Sequence, residues 1–203
     1  MSPQETKAHI LLSTINAIEK YGLANLTTRM IADEAGVNNA ALHYYFGTKE
    51  KLINLALRQT AEHMLGDVRE ILDGEAPIAD RITECLEYMI EGVLRYPNLI
   101  RAHMIGPLFN QDRQEDLAHL LRSWMDLTVE AVQPHVPEDH TARVRLSLNM
   151  TFSMILMSGL LLGQPEAHGW LDLGHPAARR RLVRESVRNL LLQEGGDEEP
   201  SSG

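Results

Sequence analysis

The chain reads as all-α. Apolar residues recur at helical spacing along almost its whole length, and no stretch alternates apolar with polar residues as a half-buried strand does. Aromatics make up only 5% of the 203 residues while there are 9 Met, a mix that suits adaptable helical packing better than a β-sandwich. An apolar content of 44% is ample for a core, and the length allows one large domain or a small one plus a medium one.

Ser2-Pro3-Gln4-Glu5 is a capping box with Pro at the first helical position. The helix it opens shows Leu11, Ile15 and Ile18 on one face and stops at Gly22. Thr27 can cap a second helix, from about Thr28 to Ala35, with its hydroxyl. Ile31 and Ala35 supply its apolar face, and Ala32 is small where another helix must cross closely. Gly36 can take the left-handed conformation that ends a helix. Val37 then points inward and Asn38 can cap a third helix, from Asn39 to Tyr45. Leu42, Tyr45 and Phe46 anchor it, leaving Asn39, Ala40, His43 and Tyr44 outward. Thr48 caps a longer helix to Leu72, with Leu52, Ile53, Leu55, Ala56, Met64, Val68 and Leu72 buried in part. Asp73 to Pro77 is a break.

Beyond the break, Ile78, Ile82, Cys85, Leu86, Met89, Ile90, Val93 and Leu94 form one apolar stripe ending at Tyr96-Pro97. Pro97 starts a short helix through Phe109. Leu117, Leu120, Leu121, Trp124, Leu127 and Val132 mark another, closed by Pro134 and Pro137. A long helix runs from Glu138 to about Gly163, and a last amphipathic one follows the loop at 172–176 to about Gln193. The acidic segment 194–203 is expected to be disordered.

The Ala32-x-x-x-Gly36 spacing, with apolar residues at 31, 35, 37 and 42, is what the tight turn of a helix-turn-helix demands. Alone the spacing is weak; the ordered set is specific. The block resembles the N-terminal domain of the TetR family of bacterial transcriptional regulators. The resemblance rests on Leu26-Thr27-Thr28-Arg29, Ile31-Ala32, Ala35-Gly36-Val37, Leu42-His43-Tyr44-Tyr45-Phe46 and Thr48-Lys49-Glu50-Lys51-Leu52. It covers about the first quarter of the chain; the remainder resembles the family in length and helical character. The departure is Asn39-Ala40-Ala41, small and polar residues at the front of the reading helix, which bears on the operator sequence.

The resemblance implies a three-helix head at residues 1–48, a helical effector-binding and dimerisation domain at 49–194 joined to it by the helix from Thr48, and a tail at 195–203. It implies a cytoplasmic homodimeric regulator, most simply a repressor, on a near-palindromic operator read in successive major grooves. The expected DNA contacts are Thr27, Thr28, Arg29, Asn38, Asn39, Ala40, His43, Tyr44, Tyr45 and Lys49, with Arg29 placed for a guanine edge and Lys49 for the phosphate backbone.

Charge offers this reading little help. The formal net charge is −9, and residues 1–50 hold Lys or Arg at 7, 20, 29 and 49 against Asp or Glu at 5, 19, 33, 34 and 50. A helix-turn-helix dimer can instead use hydroxyls, backbone N–H groups and helix N-termini.

Leu146 to Gly163 carries no charge, yet its Ser, Asn, Thr and Gly residues make it too polar to cross a membrane. A helix apolar all round needs partners on every side. The last helix supplies one, and by resemblance a second subunit supplies the rest, through Leu156, Leu160, Val183, Val187 and Leu190. The competing reading is a core within one subunit. Met89, His103, Met104, Trp124, Met125, Asn149, Phe152, Ser153 and Met157 lie on different helices and can converge as an apolar pocket for a small, moderately hydrophobic effector, or form ordinary core.

Arg179, Arg180, Arg181, Arg184 and Arg188 read as a solvated face. The histidines lack ligand spacing, so no metal is expected. Cys85 reads as core, and its solitude excludes an intramolecular disulfide. No nucleophile elbow, phosphate loop or dinucleotide fingerprint is present, so neither catalysis nor a cofactor is expected. The alternative function is a helical small-molecule-binding or catalytic protein with a vestigial head.

Overall fold

The computed structural model describes residues 2–109, 111–161 and 173–191. Its helices are α1 (Pro3–Tyr21), α2 (Thr28–Ala35), α3 (Asn39–Phe46), α4 (Lys49–Leu72), α5 (Ile78–Arg95), α6 (Pro97–Phe109), α7 (Gln111–Val132), α8 (Thr141–Leu161) and α9 (Pro176–Leu191). No strand occurs among the described residues. The expected acidic tail lies outside them.

Helix boundaries follow local chemistry. Ser2 Oγ accepts from Glu5 N at 3.2 Å and the Glu5 carboxylate accepts from Ser2 N at 2.7 Å, a complete capping box. The hydroxyls of Thr27 and Thr48 accept from Met30 N and Lys51 N, each at 3.2 Å, and so start α2 and α4. Gly36 ends α2 at φ 62°, a left-handed value that an L side chain takes at a cost. At the end of α4 the Arg81 guanidinium donates to the Leu72 carbonyl, satisfying an acceptor left free by the last turn.

Two apolar cores result. The head core gathers Ile10, Ala17, Ile18, Leu26, Ile31, Ala32, Ala35, Leu42, Phe46, Leu52, Ile53 and Leu57. The body core runs from Val68 and Leu72 through the α5 stripe to Trp124, Val144, Leu148, Ile155 and the inner face of α9. α4 therefore belongs to both, its first half in the head and its last turns in the body. A second helix crosses the same boundary. Ala102 of α6 is buried in the head core, with Leu99 packed against it, while other parts of α6 meet α7 and α8.

The apolar face of α9 is spent inside the subunit. Val183, Val187 and Leu190 are 4%, 7% and 0% exposed, and Thr151 Oγ1 donates to Ser186 Oγ at 3.1 Å across the buried α8–α9 seam. The sequence-based placement of these three residues at a dimer interface is corrected: the helical period turns them onto the body core. Leu156 is partly buried, and the side chain of Leu160 lies outside the described residues.

Candidate nucleic-acid interface

The site is built from α2, the turn at Gly36, and α3. Burial of Ile31, Ala32 and Ala35 on α2 and of Leu42 and Phe46 on α3 fixes the rotation of both helices. That rotation leaves Asn39, Ala40, His43 and Tyr44 exposed in a row on α3. These residues fall at i, i+1, i+4 and i+5, a single helical face. Tyr44 is 83% exposed, unusual for so large a ring. Its edge meets Tyr45, the centroids 5.1 Å apart at 81°, and Tyr45 is half-buried against the head core.

Beside this row, the first turn of α2 presents Arg29. Its side chain is 85% exposed, with Asp33 4.0 Å away, so the guanidinium stays available. Thr28, Asn39, His43, Gly47, Thr48 and Lys49 line a shallow cavity of about 180 Å³ between the starts of α2 and α4 and the body of α3. The N-termini of α2, α3 and α4 border it, and such ends favour anionic oxygens.

Three of the expected contact residues have structural work as well. Asn38 Oδ1 accepts from Ala41 N at 2.9 Å and caps α3. Thr27 caps α2. The Lys49 ammonium donates to the Leu26 carbonyl, tying the start of α4 to the loop before α2. The sequence left Lys49 as a cation reaching for phosphate; in the structure it is engaged inside the head.

The residues expected to line an effector pocket divide. Met89 and Trp124 are buried in the body core, and Met125 and Phe152 pack against it. The Trp124 and Phe152 rings lie 4.6 Å apart. Trp124 Nε1 is buried without a hydrogen-bond partner. The Cys85 sulfur is near enough to feel the indole but lies outside hydrogen-bond geometry; burial pushes the thiol up to about 12 and Trp124 draws it partly back.

His103 faces α4 instead, its Nε2 2.8 Å from the Thr60 hydroxyl. Met104 is partly buried on α6. Asn149, Ser153 and Met157 are exposed on the outer face of α8. Asn149 reaches back only to Arg145 O at 2.9 Å and Met125 Sδ at 3.4 Å. One helix cannot turn residues 149, 153 and 157 inward while Val144, Leu148, Thr151 and Ile155 already hold that side.

The outer face of α8 is itself a feature that sequence reading missed. Leu146, Met150, Met154 and Met157 are 60%, 65%, 38% and 47% exposed and form one apolar stripe. Their spacing of three to four residues was visible, but the absence of charge on every side hid which face was inner. Among the described residues no group of His, Cys, Asp and Glu is placed to hold a metal ion. No described helix is long and apolar enough to cross a membrane.

Such a head, with a capped helix, a glycine turn and an outward-facing second helix, defines a helix-turn-helix on a helical body. Residues 10–56 match the profile of the bacterial regulatory proteins of the tetR family, a match confined to the head and the start of α4. The chain is similar to the nucleoid occlusion factor SlmA of Haemophilus influenzae, 25% identical over 99 residues, 48% of this chain and 45% of that one. The chain thus spans about half the length of that relative. It is 23% identical over 162 residues to the repressor KstR2 of Mycolicibacterium smegmatis, 75% of each chain. Its fold is that of the transcriptional regulator FadR from Bacillus subtilis, solved in complex with stearoyl-CoA: TM-score 0.68, 15% identity, 90% of this chain and 98% of that one.

Proposed function

We propose that the chain is a cytoplasmic, homodimeric repressor that reads a near-palindromic operator and releases it on binding a small, moderately hydrophobic effector. The observation that carries the DNA-reading part is the exposed α3 row, Asn39, Ala40, His43 and Tyr44, beside the exposed guanidinium of Arg29. A row of polar and aromatic groups on a short, rigidly anchored helix is the shape that enters a major groove. Arg29 suits a guanine edge, and the hydroxyl of Thr28 and the α2 and α4 N-termini suit phosphates.

The dimer reading rests on the α8 stripe. Four large apolar side chains in one exposed line leave a patch that a second copy of α8 covers. The effector reading rests on the body core around Trp124. The buried indole N–H of Trp124, beside the Cys85 sulfur and with the Phe152 ring against its own, favours an apolar ligand carrying one hydrogen-bond acceptor. FadR of similar fold holds stearoyl-CoA, which supports a ligand in a body of this shape.

Selection of duplexes from a random pool by the purified protein tests the reading. A recovered sequence with two inverted half-sites about one helical turn apart is the expected result. Recovery of no sequence preference refutes it. A second reading, an effector-independent DNA-organising factor, draws on the similarity to SlmA; DNA affinity indifferent to every hydrophobic ligand would favour it.

A further inference from the structure

The start of α6 is capped from outside the body. An α-helix leaves its first N–H groups without intrahelical partners, and an N-cap side chain usually accepts from the third residue. In α6 that residue is Leu99, and its N–H donates to the Glu19 carboxylate at 2.9 Å. Glu19 lies at the end of α1, in the head. The local cap residue, Tyr96, offers no short side-chain acceptor, so the body helix borrows its cap from the reading head. The negative charge also suits the positive end of the α6 dipole.

A second bond doubles the link, with Asn98 Nδ2 donating to Glu19 O at 2.8 Å. Ala102, one turn on, is 1% exposed within the head core. Thr60 of α4 donates its hydroxyl to Leu57 O at 2.8 Å, leaving the His103 Nε2–H to donate to the Thr60 oxygen. On the head side, the residue after Glu19 continues the chain of contacts: Lys20 pairs with Glu34 of α2 at 3.1 Å. A displacement of α6 must therefore carry α1 and α2 with it or break the Glu19 bonds.

We propose that Glu19 is a positioning residue that couples the body to the reading helices through α6, in parallel with the continuous helix α4. This deepens the DNA-reading proposal and rests on it. Binding of a duplex by the head must then alter the first turns of α6, because equilibrium coupling runs equally in both directions.

The test is amide hydrogen exchange on the full chain, with and without a duplex the protein has selected from a random pool. In the wild type, the duplex should change exchange across residues 97–104 by about fivefold or more, the lower end of ordinary coupling. Glu19→Ala should lose that change and speed exchange at Leu99 even without DNA. Glu19→Gln, which keeps an acceptor oxygen, should restore both. Should Glu19→Ala fail to fold, Asn98→Ala carries the comparison, with a smaller change expected. An undiminished DNA-driven change in the Ala variant, or none in the wild type, overturns the coupling alone. Recovery of no selected duplex overturns DNA reading and the coupling with it.

Discussion

If α8 forms the proposed dimer interface, Met150→Glu should dissociate the dimer without unfolding the subunit. Met150 is 65% exposed in the isolated chain, so the carboxylate stays solvated in a monomer and costs the fold little. Burying a Met side chain fully is worth roughly 1.5–3 kcal/mol, so burying the exposed two thirds is worth about 1–2 kcal/mol per copy. Two-fold symmetry places two copies in the interface, so the lost apolar term is roughly 2–4 kcal/mol. Two unpaired carboxylates facing a dry seam add several kcal/mol more. The combined loss exceeds about 4 kcal/mol, a factor of about a thousand in the dimer constant. Sedimentation velocity across a concentration series should show monomers where the wild type is dimeric, with unchanged helicity by circular dichroism. Val183→Glu, at a position 4% exposed within the body core, should instead collapse the body. A Met150→Glu protein that remains dimeric at wild-type strength would refute α8 as the interface.

Cys85 should resist alkylation in the native protein and react on unfolding, because burial pushes its thiol up to about 12. The sign is that of a folded-state pKa raised above the unfolded one: the contribution to stability is complete below about pH 9 and is lost as pH rises toward 12. Burial, then the hydrogen bond to Asp67, raises Tyr88 in the same direction. Cys85→Ala should flatten the alkaline fall in stability, measured by urea unfolding at stepped pH. Lys49→Met should lower head stability by about 1–3 kcal/mol, since it orphans the carbonyl of the buried Leu26. Because that ammonium is engaged within the head, the salt slope of DNA binding should be unchanged; a slope flattened by about one unit, with unchanged stability, would show that Lys49 serves phosphate.

Much of the fold was legible because its punctuation is local. The capping box at Ser2, the hydroxyl caps at Thr27 and Thr48, the left-handed Gly36 and the breaks at Asp73 to Pro77 each act through neighbours a few residues away. The α5 stripe was equally plain, since Ile82, Cys85, Leu86, Met89, Ile90 and Val93 fall on one face and all are buried. On α8 the apolar residues surround the helix, so the sequence carries no vector saying which side is core. For that reason Asn149, Ser153 and Met157 were assigned inward and are found outside. On α9 the apolar face was recognised but given two duties, and the α8–α9 seam with its Thr151–Ser186 bond takes it. The Glu19 cap of α6 joins residues 80 apart, and no local pattern announces such a pair. Lys49 is a related case: a lysine beside a reading helix looks free until the carbonyl of Leu26 is brought to it.

The claim that the exposed α3 row and Arg29 read DNA is tested most directly by the affinity of Tyr44→Ala and Arg29→Ala for the selected duplex and for a scrambled one. Both side chains are at least 83% exposed, so neither substitution should lower the melting temperature. Arg29→Ala should lose about 1–3 kcal/mol on the selected duplex and relax preference at one base pair. Tyr44→Ala should also weaken the selected duplex more than the scrambled one. Wild-type affinity and preference in both variants would contradict the account.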